Sequence, residues 1–279
     1  TLFGHRYEFR DIKDLLANTA IYVIASSLNR SQVTAYLSTI VQYNAESIDK
    51  SLLRLFELLI YPAYLPTLYE KTLVTDPANL SEAQQIILRR EIETLFAMNT
   101  YVPLRTHFPT STFLFALSDA SPAASLFSPG SGSSIVTLSQ VADEPWIPAG
   151  QDIHVLPVPE REQVIFSRRI LVTESGTRHF TGVLALQVSE RDLTLAQDAH
   201  PVSDGNLFFL KTAQGDVIHI TPGTEDFPGT LFSGIEYHNN RSPATDVRHE
   251  GIRYLMQPFR LNTGWELVCL VPYASINRS

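Results

Sequence analysis

One cysteine, Cys269, stands in 279 residues, so no intrachain disulfide can form. Cysteine usage therefore says nothing of the compartment, because domains outside the cytoplasm also fold without disulfides. Cys269 lies in an apolar run and reads as a small buried residue. No stretch of 18 or more apolar residues occurs, so no segment here reads as a membrane-spanning helix. The short run Ala20–Ala25 lacks the flanks of a secretion signal. Positive charge is in deficit, with 21 Lys and Arg against 29 Asp and Glu and a formal net charge of −8. That balance argues against nucleic acid or an anionic membrane surface as the main partner, since both require basic patches.

Catalytic signatures are missing too. The eight histidines are scattered, and none makes an i, i+4 helical pair with a glutamate, so a metalloprotease motif is absent. There is no Gly-x-Ser-x-Gly elbow, no phosphate loop and no Cys/His nucleophile pattern. The glycines around Ser131 read as a loose loop, since no lysine and no strand–loop–helix context follows. The expectation is a fragment without enzymatic activity, metal or cofactor. A hydrolase of unfamiliar type is the rival, and it requires titratable side chains gathered in one cleft.

What is present is ordinary globular material, 44% hydrophobic and 18% charged, enough for one large or two modest domains. From Ser31 to Tyr61 the apolar residues Val33, Tyr36, Leu37, Ile40, Val41, Ile48, Leu52, Leu55, Phe56 and Leu59 recur in steps of three and four. Gln42, Glu46, Asp49, Lys50 and Arg54 take the other side, and no proline intervenes before Pro62. At about 1.5 Å per residue such a helix is a rod about 45 Å long. A rod of that length outreaches a small domain, so it packs along something larger or ties several units together. Upstream, Ile12, Leu15, Leu16 and Thr19 suggest another helical face, and Asn29 or Ser31 can cap the rod.

A second helix is signalled by the capping box Ser81-Glu82-Ala83-Gln84, with Ile86, Ile87, Ile92, Leu95 and Phe96 as its apolar face and an end before Pro103. From Ser111 the pattern turns to strands. Thr112–Leu117 is one, and Ile135–Ala142 is a strand or a short helix. An irregular stretch around Trp146 follows. Gln163–Val172 and His179–Val188 pair across the turn Thr173–Thr177. After a linker at Pro201–Gly205 the outline repeats. Asn206–Lys211 and Asp216–Ile220 flank Ala213-Gln214-Gly215, a polar connection runs from Thr221 to Glu250, and Ile252–Phe259 and Trp265–Val271 close the chain. The model is α+β: residues 1–75 a helical spine, 76–200 one sheet-bearing module, and 201–279 a second.

Several stretches carry a resemblance. Leu261-Asn262-Thr263-Gly264-Trp265 running into Glu266–Pro272 resembles the closing hairpin of the membrane-proximal module of a double Cache sensor domain. Asn206–Leu210 with Gly215–Ile218 resembles that module's opening hairpin. Gly182–Ser189 with Leu193 is similar to the last strand of the membrane-distal module, and Ser47–Leu59 to the family's first long helix. The likeness implies two PAS-like modules behind one helix, in the extracytoplasmic part of a receptor at the cell membrane, most similar to those of bacterial sensor histidine kinases. Transmembrane helices would precede Thr1 and follow Ser279, both chain ends would leave side by side, and a homodimer along the spine is possible. A chemoreceptor or cyclic-nucleotide signalling receptor is the alternative; a soluble solute-binding module is a second.

The resemblance also places the ligand in the distal module. Relatives that bind free amino acids use an Arg two residues before a Trp, a Tyr after it, and an Asp on the last distal strand. Here Glu144 precedes Trp146, Ile147 follows it, and Gln187 takes the Asp position. A neutral amide does not pair with an ammonium as a carboxylate does. A neutral, hydroxyl-rich small molecule such as a sugar suits an indole and an amide better. The candidate site residues are Asp119, Trp146, His154, Arg168 and Gln187. Each also has a bland reading: Trp146 as a core or lid aromatic, Gln187 as an outward strand residue, and Arg168 and its neighbour Arg169 as solvated or paired.

Overall fold

The computed structural model describes residues 34–276 apart from 36, 40, 128–132, 151, 195–204, 222, 225 and 237–241. The helical face expected before Asn29, the caps at Asn29 or Ser31, most of the loop from Ser128, most of the linker from Pro201 and both chain ends lie outside the described residues.

Every described residue from 34 to 60 is helical (α1), a span of about 40 Å at about 1.5 Å per residue. Leu37, Val41, Ala45, Ile48, Leu52, Leu55 and Leu59 are buried, and their steps of three and four draw one stripe along the rod. Tyr43, Leu53 and Glu57 lie on the exposed side. Pro62 ends α1 by entering a 3-10 turn, Tyr61–Tyr64, followed by the short helix α2 (Pro66–Tyr69) and a π-turn, Glu70–Val74.

Helix α3 (Glu82–Phe96) starts with the expected box, in which the Ser81 hydroxyl and the Gln84 side chain cap each other's backbone. Its buried face matches the expected one only at Ile92 and Phe96. Leu88, Ile92 and Phe96, four residues apart, go inside, while Ile86 and Ile87 are about half exposed. Nor does Pro103 end the helical run. A π-turn at Ala97–Tyr101 restarts the chain as α4 (Val102–His107), and Pro103 sits in its first turn, where a missing N–H costs nothing.

The strands form two five-stranded sheets. The first holds β1 (Thr112–Leu117), β2 (Ile135–Thr137), β3 (His154–Val158), β4 (Gln163–Glu174) and β5 (Thr177–Ser189), in the order β2-β1-β5-β4-β3. After α5 (Glu190–Thr194) come β6 (Leu207–Lys211), β7 (Val217–His219), β8 (Thr245–His249), β9 (Ile252–Arg260) and β10 (Glu266–Pro272), in the order β7-β6-β10-β9-β8. The short helix α6 (Tyr273–Ile276) follows. The two orders are the same when each sheet is counted from its own first strand. They differ at one edge: β2 runs parallel to β1, whereas β7 is antiparallel to β6. Strand β3, paired outside β4, lies where no element was expected, and β8, paired outside β9, lies within the expected polar connection.

Strand alternation sends neighbouring side chains to opposite faces. Phe115, Phe166, Leu184 and Leu186 of the first sheet, labelled distal, share one continuous core with the α1 stripe, and so do Phe208, Leu210, Leu267 and Cys269 of the second, labelled proximal. The outer faces carry separate clusters. Polar pins fix this assembly. The Asp49 carboxylate on α1, 5% exposed, accepts from the Asn262 amide at 2.8 Å and the Thr263 N–H at 3.1 Å. Asp192 on α5 accepts from the Thr110 N–H and hydroxyl, both at 2.8 Å, and from the Ser111 hydroxyl at 3.0 Å, holding the start of β1.

Gly182 permits the closest approach in the distal sheet. A Cβ there would lie 2.3 Å from the Ala116 carbonyl oxygen and 2.9 Å from the Phe115 ring. Gly182→Ala is expected to lower stability by about 2–3 kcal/mol, the cost of overpacking a filled core, as read from urea unfolding. Asp49→Ala strands two donors and is expected to cost about 2–3 kcal/mol; Asp49→Asn, which keeps an acceptor oxygen, costs about 1 kcal/mol. Equal effects of the two Asp49 variants would show that the carboxylate is not what holds the turn.

Candidate functional site

The outer face of the distal sheet is floored by small side chains. Ala116 on β1 and Val183 and Ala185 on β5 are buried there beside Ile165 of β4. Such a floor is shallow and needs something large laid over it. The chain between β2 and β3 supplies it. A 3-10 turn at Leu138–Val141, capped by Thr137 and Gln140, leads to Trp146, whose indole is 3% exposed against that floor. The Ser167 hydroxyl, fully buried on β4, donates to the Trp146 carbonyl. At the other end of the segment the Asp119 carboxylate accepts from the Ser139 N–H at 3.0 Å and from its hydroxyl at 2.6 Å. Residues 138–147 thus form a cover pinned to the sheet at two points.

Three of the predicted site residues share this face. Trp146 lies on it. His154 stands opposite Ser167 in the β3–β4 ladder and is half-buried. Gln187 pairs with Thr112, whose hydroxyl donates to the Gln187 amide oxygen at 3.0 Å. Asp119 stands beside the face, exposed, just beyond the end of β1. Arg168 is separated from them, because β4 turns it to the α1 side together with Val164, Phe166 and Ile170. Its neighbour Arg169 takes the outer side, with its guanidinium 4.4 Å from the centre of the Phe180 ring. Ser167, which ties down the cover, was not singled out in the sequence; its place opposite His154 appears only once β3 is known.

On the inner side, past the end of β3, the β4 residues 168–174 all border a groove of about 630 Å³. A groove touching every residue of a strand runs along its edge, since alternate side chains leave on opposite faces. Its far wall is Tyr64, Leu65, Pro66 and Tyr69. A hydrogen bond with Glu174, then burial and that carboxylate's charge, hold the Tyr69 phenol above its ordinary pKa. A smaller cavity of about 270 Å³ lies between Arg168, α1 and the β9–β10 turn.

Among the described residues no three His, Cys, Asp or Glu side chains converge on one point as metal ligands. Cys269 is fully buried and burial pushes its thiol far up, so it does not supply a thiolate. Trp146 instead fills a structural place. Trp146→Ala is expected to cost about 3–5 kcal/mol in urea unfolding, the range for emptying a large aromatic site, with a smaller loss for Trp146→Phe. A loss below about 1 kcal/mol would mean that the indole is not part of the packed face.

No family model matches the chain, and no curated protein does. Solved structures do. The ligand-binding domain of Campylobacter jejuni chemoreceptor Tlp3 in complex with L-valine is 13% identical, with 90% of this chain and 97% of that one covered and a TM-score of 0.50. The ligand-binding domain of the Pseudomonas aeruginosa PAO1 amino acid chemoreceptor PctB in complex with L-Arg is 12% identical, with 88% and 92% covered and a TM-score of 0.51. At such identity what is shared is the fold.

Proposed function

We propose, from the premise that this chain has the double Cache fold, that it is the small-molecule-sensing head of a membrane receptor of the chemoreceptor kind. One observation carries the reading. Two sheets of one strand order share a core along α1, and the distal sheet alone has its outer face closed by a Trp-bearing cover over small residues. The likeness to two chemoreceptor domains favours this output over the histidine kinase expected from sequence. The receptor stands outside the cytoplasm, anchored by segments that flank the fragment; among the described residues no helix is long and apolar enough to cross a membrane.

The ligand enters beneath the cover, against Ala116, Val183 and Ala185, with Gln187 and His154 at the sides. It is held more tightly with the cover in one position than in another, and that difference shifts the population. The displacement crosses the sheet within β4. Ser167 holds the Trp146 carbonyl on the outer face, while the adjoining Phe166 stacks on Trp265 of the proximal module, centroids 5.9 Å apart and planes 10° apart. Phe56 of α1 completes the cluster, 6.3 Å from Trp265.

Amino acids head the list of ligands to try, because the neighbours hold L-valine and L-arginine. Sugars stand beside them, on the strength of the indole and the neutral amide. A thermal-shift panel of amino acids, sugars, organic acids and amines tests the reading. A ligand at about 100 times its dissociation constant adds about 2.7 kcal/mol and raises the melting temperature. Ala185→Leu, which fills the face, is expected to abolish that rise. Silence across all four classes would overturn direct sensing by this fragment.

A further inference from the structure

Strand β4 runs on past its outer neighbour. The β3 ladder ends at Ser167, and no other described strand takes residues 168–174 on the side away from β5. In an antiparallel ladder every second residue turns its N–H and C=O away from its partner. Beyond Ser167 those groups meet the groove of about 630 Å³, which borders all of 168–174. The register shift near Ile170 puts the extra residue, Thr181, on β5, so the open edge of β4 stays regular. Charge, proline or a bulge commonly blunts such an edge, and Ile170, Leu171, Val172 and Thr173 in its middle supply none of these. The wall of Tyr64, Leu65, Pro66 and Tyr69 makes the space a slot, which suits one extended chain better than the edge of a second sheet. Tyr64, 74% exposed, is surface that such a chain would cover.

Charge gives the occupant its direction. Arg168 and Arg169 line the groove where β3 leaves off, and Glu174 lines its other end. Glu70 stands with Glu174, since it follows Tyr69, whose phenol hydrogen-bonds to that carboxylate. Arg178, opposite Thr173, offsets one of the two carboxylates. Arg168 already has a contact, and a guanidinium with five N–H donors keeps it while meeting a second acceptor. From Arg168 to Glu174 the strand covers about 20 Å. A chain antiparallel to β4 has its C-terminus beside the arginines and its N-terminus beside the carboxylates. A parallel chain meets like charge at both ends.

We propose that this groove binds a short peptide with free ends, about six residues long, as an added antiparallel strand on β4. Main-chain hydrogen bonds to the open edge supply affinity, and apolar side chains lie against the wall. The peptide's carboxylate lies on Arg168, with Arg169 beside it, and its ammonium on Glu174 and Glu70. The groove lies on the inner side of the sheet, away from Trp146, so this site does not rest on the function proposed for the distal outer face.

A pool of random hexapeptides with free ends is equilibrated with the unsubstituted fragment, and retained peptides are identified by mass spectrometry after size exclusion. The best-retained sequence is synthesised and titrated by calorimetry. Acetylating its N-terminus or amidating its C-terminus is expected to weaken binding roughly tenfold, each step removing one charged contact. N-methylation of alternate amides abolishes binding in one of its two phases and spares most of it in the other, because a strand turns every second N–H to its neighbour. Glu174→Gln reduces the penalty of acetylation, and Arg168→Gln that of amidation. Glu174 is exposed, so its variant decides if Arg168→Gln fails to fold. Ala185→Leu, on the other face, leaves binding unchanged. Four results overturn the proposal: no peptide retained, equal affinity for free and blocked ends, equal effects of the two N-methylation phases, or binding lost in Ala185→Leu and unaltered in Glu174→Gln. The last result places the peptide on the distal outer face.

Discussion

One helix has one apolar stripe, and two sheets must bury their inner faces against it. That constraint shapes the rest. The stripe from Leu37 to Leu59 is too long for either sheet alone, so both join a single core along it. Apolar contact along a rod does not fix where a sheet sits, because the hydrophobic effect has no direction. Asp49 supplies the missing coordinate. A buried carboxylate is tolerated only where donors meet it, and the Asn262 amide and Thr263 N–H do so from one turn of the proximal sheet. Sliding α1 by a turn would strand all three groups, so the polar contact sets the register that the apolar contact leaves open.

The outer faces show how one topology serves two ends. Over the proximal sheet, Phe209, Phe227, Phe232 and Tyr254 pack ring against ring, with Phe209 centred 4.8 Å from Phe232 and 5.3 Å from Phe227. That face is filled by its own residues. Over the distal sheet, alanine and valine leave depth that a single indole from a long connection occupies. The distal face is closed by one connection, through its indole and three hydrogen bonds, and the proximal face by interlocked aromatic rings. On the function proposed above, ligand sensing belongs on the first and relay on the second.

The long hairpins were legible because their strands are buried and their turns are short. β4 with β5, β6 with β7, and β9 with β10 each fall where periodicity and turn residues put them. The edge strands were not. β3 carries Pro157 inside it, which an edge tolerates and a central strand does not, so the sequence reads as irregular. β8 is polar except for Val247 and mostly exposed, with no apolar run to betray it; its one signal is Glu250-Gly251, both at positive φ, closing the hairpin to β9. The rotation of α3 was hidden for another reason. Ile86 and Ile87 are as apolar as Leu88, and only packing against the turns Glu70–Val74 and Pro122–Leu126 decides which of them goes inside. In the site, Arg168 could have been assigned. Val164, Phe166, Ile170 and Val172 all face α1, and strand alternation puts every even position between them on that side. The partnership of Trp146 with Ser167 could not, since it joins a loop to a strand through a backbone carbonyl.

Three consecutive residues of β4 therefore look at three different places. Phe166 faces Trp265 and Phe56 in the shared core. Ser167 holds the cover over the distal face. Arg168 borders the cavity between the modules. Adjacent residues of a paired strand cannot move independently, because the ladder bonds to β5 fix them on both sides of this triplet. A close-packed interior transmits a small displacement rather than absorbing it. On the function proposed above, a ligand that shifts Ser167 from outside shifts Phe166 against Trp265 as well. The sheet is one strand deep at this point, so on the proposed function coupling between its two faces needs no moving domain, only a strand that is held from both sides.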